Sequence, residues 1–233
     1  MLDSPEIVRG QKTKMRLAWL GLVWVVLSAA APLAAGTLQG RVTVLEKDGK
    51  RAQDTEQAVV WVEGPKVRMR PTGSTVTMKS KAFVPRVTVV SVGGRVEFPN
   101  QDSIFHNVFS VSGENRFDLE LYKKPKSGFK VFEQSGVVRI YCNIHPQMSG
   151  FVLVRDNPFW ARVSADGSFT IPDVPAGTWV VKAWHERSGE ASQTVEVPQA
   201  GAVAASFSLD ASKFKRAPHK NKFGKDYAVG EKY

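Results

Sequence analysis

Residues 136–154 read GVVRIYCNIHPQMSGFVLV, and the fold turns on how that stretch alternates. Val138, Ile140 and Cys142 fall on one face of an extended chain, and Arg139 and Tyr141 on the other. The alternation breaks over Asn143, Ile144, His145, Pro146, Gln147 and Met148, where Pro146 cannot donate to a strand ladder. It resumes through Phe151, Val152, Leu153 and Val154. The pattern predicts two strands joined by a tight loop. At spacing C-x2-H-x2-M, that loop carries a thiol, an imidazole and a thioether.

A thiolate and a thioether beside an imidazole form a soft donor set that suits copper, and two His, one Cys and a weak axial Met make a blue-copper site. The loop supplies one His, so the second comes from elsewhere. His106, in VEFPNQDSIFHNVFS (residues 96–110), follows a strand-like run and a polar turn and begins a new strand. If two neighbouring hairpin ends meet at one pole of a sandwich, His106 joins the loop. The expectation is one copper ion, cycling between Cu(I) and Cu(II), on His106, Cys142, His145 and Met148. Zinc is the rival metal, but Met is a poor zinc ligand and structural zinc sites favour more thiolates. Cys142 is the chain's single cysteine, which excludes an internal disulfide.

Several motifs here resemble the plastocyanin-type cupredoxins. They are Phe83–Pro85 as F-x-P, Gly93–Phe98 as G-x-x-V-x-F, then Asn100 and His106-Asn107-Val108, and finally residues 136–154. The short ligand loop, with Pro after the ligand His, is similar to that of amicyanin. The resemblance spans about residues 74–155. It implies that Asn107 ties the two ligand loops together by hydrogen bonds and that the edge of the His145 ring lies near the surface. Phe105 and Ile144 then become candidates for an apolar rim where electrons leave. Residues 115–128, polar and Lys-rich, receive no assignment.

Other strand-like runs are 37–45, 58–63, 75–80, 86–92, 95–99, 107–112, 161–164, 168–172, 178–185 and 192–197, separated by Gly, Pro and Asp turn signals. No long stretch repeats with helical period. Residues 161–197 contain D-G-x-F-x-I-x-D-V-P-x-G-x-W-x-V, which resembles carboxypeptidase regulatory-like (transthyretin-like) β-sandwiches. Residues 37–63 fit the opening strands of such a module. The expected fold is all-β, a Greek-key cupredoxin β-sandwich plus a second small β-sandwich. The expected order is 1–35 signal peptide, 37–63 first strands of the regulatory-like sandwich, 65–155 cupredoxin domain, 156–209 the rest of that sandwich and 210–233 a basic tail.

Residues 15–36 place Arg16 before an apolar run and then small residues, the order of a secretory signal peptide, with processing near Ala35 or Gly36 and Met15 an alternative start to Met1. The apolar run is short for a membrane span. Export makes the protein periplasmic or secreted, with membrane attachment only if the segment is uncleaved. The net charge of +10 is concentrated in residues 212–233, where seven basic residues face two acidic ones. No nucleic-acid motif accompanies them. Four His are too few for a multicopper oxidase, one Cys is too few for a thiolate-bridged copper pair, and no hydrolytic constellation is present. The expected function is one-electron transfer to a redox protein such as a cytochrome or dehydrogenase, without catalysis. The alternative is copper binding for delivery. His185, at a strand end, reads as structural. His219 reads as solvated in the tail, which is left a steering role at most.

Overall fold

Alternating faces explain most of the architecture. The computed structural model describes residues 35–64, 69–216 and 218–227. The signal-peptide reading lies outside them except for Ala35. The strands are β1 (Ala35–Leu45), β2 (Val59–Glu63), β3 (Ser74–Thr75), β4 (Thr77–Lys79), β5 (Ala82–Val84), β6 (Val87–Ser91), β7 (Gly94–Pro99), β8 (His106–Ser110) and β9 (Phe117–Tyr122). They continue with β10 (Ser127–Phe132), β11 (Gly136–Tyr141), β12 (Ser149–Arg155), β13 (Trp160–Arg162), β14 (Ser168–Pro175), β15 (Gly177–His185), β16 (Gly189–Val197) and β17 (Ala202–Asp210). Among the described residues the only helical pieces are two 3-10 turns, Thr55–Gln57 and Gly113–Asn115, and no helix is long and apolar enough to cross a membrane.

One sandwich faces the sheet β14-β1-β17 with β13-β2-β15-β16, and the other faces β6-β12-β11-β8-β9 with β10-β7-β3, with the hairpin β4-β5 beside it. Strands β1 and β2 pair only with strands that follow β12. The sandwiches stand back to back. In β12, Val152 and Val154 enter the core holding Phe98, Ile140 and Cys142. Phe151 and Leu153 point the other way, against Val59, Trp61 and Trp184. In β2, Val60 and Val62 enter the second sandwich's own core. Both faces of these strands are therefore buried, which is why VVWV and FVLV are unbroken apolar runs. Arg86 grips Glu186 through Nε (2.6 Å) and Nη2 (2.7 Å), and Arg162 Nη1 donates to the Val87 carbonyl (2.9 Å), both across the junction.

Four strands lie where the sequence pattern assigned none: β5, β9, β10 and β17. β9 and β10 occupy much of the Lys-rich stretch. β9 alternates as FDLELY, but it is a sheet edge, and Leu121 stays half-exposed. β17 alternates Val203, Ala205, Phe207 and Leu209 in a run of small residues and pairs in parallel with β1, a partner far away in the chain.

Candidate metal centre

β11 is the central element. It pairs with β12 along its whole length, Tyr141 opposite Ser149, and on its other edge Tyr141 sits opposite Phe109 of β8. His106, the first residue of β8, and the loop that leaves β11 at Cys142 therefore share one end of the sandwich. The loop is closed by its own backbone: Met148 N–H donates to the His145 carbonyl (2.9 Å) and Cys142 N–H to the Met148 carbonyl (3.3 Å).

The structure brings His106, Cys142 and His145 together, with one ligand atom of each within 4.8 Å of the others. His106 Nδ1 lies 3.1 Å from His145 Nδ1, and the Cys142 Sγ lies 3.9 Å and 3.6 Å from these two nitrogens. The centre of that triangle is about 2 Å from every corner, the length of a first-row metal–nitrogen bond. The donor set thus fits one transition-metal ion. His106 and Cys142 are fully buried and His145 is 6% exposed. Met148, 1% exposed, belongs to the same buried cluster as Cys142.

Protonation suits ligation. His106 Nε2 donates to the Asp102 carboxylate (2.8 Å), so its Nδ1 turns a lone pair inward. Burial alone would raise the Asp102 pKa. The Lys81 N–H, the His106 ring and the Ser80 N–H outweigh it and hold the carboxylate below its usual range. Burial, helped by His106 and Lys81, lowers His145 to about 4, so its imidazole is neutral at neutral pH. Burial pushes the Cys142 thiol up, while the N–H groups of Asn107, Ile144 and His145 favour the thiolate. Asn107 Oδ1 accepts the Asn143 N–H (2.7 Å), a bond that joins the two ligand segments.

The sequence reading missed Asp102, which looked like one more polar residue in a turn. It also missed that the largely exposed C-terminal segment docks on the ligand loop through a few side chains. His219 stacks on Tyr141 with ring centroids 4.4 Å apart and faces the backbone carbonyls of His145 and Met148. Lys222 N–H donates to Asn143 Oδ1 (2.8 Å), and its ammonium pairs with Asp118 (2.6 Å) and Glu120 (3.0 Å). Tyr227 donates its hydroxyl to the Cys142 carbonyl (3.0 Å). His145, expected with its ring edge near the surface, is 6% exposed, and its Nε2 is buried without a hydrogen-bond partner among the described residues. Ile144 is half-buried against the core, whereas Phe105 is 47% exposed. His185 is buried at the end of β15, donating to the Asp54 carbonyl (3.3 Å) and accepting the Arg187 N–H (3.3 Å). Its surroundings hold no metal-sized cluster among the described residues.

Comparison with known families matches residues 134–205 to polysaccharide lyase family 4, domain II. That stretch runs from just before β11 through most of the second sandwich, where the sequence resembled regulatory-like modules. No curated protein matches. Among solved structures, a purple cupredoxin from Nitrosopumilus maritimus is 24% identical, over 35% of this chain and 99% of that one, with a TM-score of 0.32. Amicyanin from Paracoccus versutus is 23% identical, over 37% and 92%, with a TM-score of 0.33. A copper-containing nitrite reductase from Thermus scotoductus SA-01 is 25% identical, over 42% and 25%, with a TM-score of 0.35.

Proposed function

We propose that this chain is an exported protein that holds one copper ion on His106, Cys142, His145 and Met148 and carries single electrons between redox partners. The observation that supports this most is the buried triangle of two Nδ1 atoms and one Sγ, already near the size a bound ion needs. Bound there, copper would supply a one-electron Cu(I)/Cu(II) couple. The protein's part is to keep the donors in place in either state. Asp102 fixes the ring of His106, Asn107 joins the two ligand segments, and three N–H groups share the charge of the thiolate. A centre closed in this way releases its metal slowly, which favours a carrier of electrons over a carrier of copper. The partner would be a soluble cytochrome or a dehydrogenase in the same compartment.

The test is titration of the purified protein with Cu(II) while recording the visible spectrum. One equivalent should give an intense thiolate-to-copper band that bleaches on reduction. Cys142→Ser should remove the band, and Met148→Ala should keep copper but shift the potential, because the axial bond is weak. A Cys142→Ser spectrum identical to the parent's would sink the assignment.

A further inference from the structure

Beside the ligand loop, the C-terminal segment leaves a cavity of about 650 Å³ against the outer face of β11. That volume lies within the range of small-molecule sites. Its cations are Arg139, Lys215 and Arg216, and none of the three has an ion-pair partner among the described residues. Glu186, the one acid lining it, is already held bidentately by Arg86. Unanswered positive charge therefore dominates. The aromatic residues lining it are Tyr141, Phe151, Phe214 and His219. Guanidinium groups bind carboxylates in a fork, and aromatic walls favour a planar apolar body.

We infer that this cavity binds a small aromatic carboxylate. Pro146 and Gln147, which separate His145 from Met148, also line it, so an occupant touches the loop that carries the proposed copper ligands. That link rests on the copper reading; the binding itself does not. A docked protein segment is the less favoured occupant, because the site is a recess of small-molecule size.

Calorimetry on the metal-free full-length protein decides the matter, with benzoate as the probe, benzyl alcohol as its neutral counterpart and inorganic phosphate as an anion without a ring. Benzoate should bind saturably, with the alcohol and phosphate at least about tenfold weaker, as expected for a lost charge-assisted bond or a lost apolar contact. Arg139→Gln with Lys215→Gln should weaken benzoate about tenfold while circular dichroism stays unchanged. Equal binding of benzoate and benzyl alcohol, no benzoate binding, or unaltered affinity in the folded double variant each overturns the inference. In the Cu(II)-loaded protein benzoate should also move the visible band. If Cu(II) produces no such band at all, the copper reading fails, while the metal-free calorimetry still decides the cavity.

Discussion

Two jobs are divided between the nitrogens of the His106 ring: Nε2 is tied to Asp102 and Nδ1 is turned toward Cys142 and His145. Asp102 in turn accepts the N–H groups of Ser80 (2.8 Å) and Lys81 (3.0 Å), so the orientation of the ring is anchored in the turn between β4 and β5. Removing such an outer partner typically costs about 10–100-fold in metal affinity. Asp102→Ala should weaken copper binding by that order, read by competition with a chelator. Asp102→Asn keeps an acceptor for the ring N–H and should recover most of the loss. If both variants compete like the parent, Asp102 does not hold the ring for ligation.

At the level of elements, β1 has the tightest tolerance. It pairs with β14 on one edge and with β17 on the other, and Gly40 lies opposite both Phe169 and Ala205. A Cβ at Gly40 would collide with the Ala205 carbonyl oxygen. Gly40→Ala must push β1 and β17 apart, which draws Leu38 and Val42 away from their partners Val203 and Phe207. Overpacking of this kind costs about 1–3 kcal/mol, occasionally more. A loss near 3 kcal/mol, seen as a lower urea midpoint, is the expected result. An unchanged midpoint would mean that the strands do not approach so closely. The sequence offered Gly40 only as a small residue in a strand-like run, because the strand it touches was not recognised.

At the scale of the molecule, the segment after Ser212 belongs to the centre. It contributes a ring to Tyr141, a backbone bond to Asn143, an ion pair to Asp118 and a hydroxyl to the Cys142 carbonyl. Truncation after Ser212 should leave the ligands and the thiolate-to-copper band in place. It should also raise the bimolecular rate of reduction by a small hydrophilic reductant, because the segment packed against the His145 and Met148 carbonyls is removed. Identical rates for truncated and full-length protein would rule out a covering role. Loss of the band would instead show that the segment is needed to hold the metal.

Much of this protein could be read along the chain. The turn after Cys142, the faces of β11 and β12, and the ligand types of the loop are set by neighbours a few residues apart, where side-chain period and proline chemistry operate. Asn107 was legible by resemblance for the same reason, since it is adjacent to His106. Only the tertiary structure decided that Asp102 holds His106, that β17 closes the sheet beside β1, and that His219 and Tyr227 lie against the centre. Tyr227 meets Cys142 across 85 residues of chain. A contact of that kind is set by which surfaces come together once both sandwiches are packed, and a basic, polar segment carries no periodic signal of where it will dock.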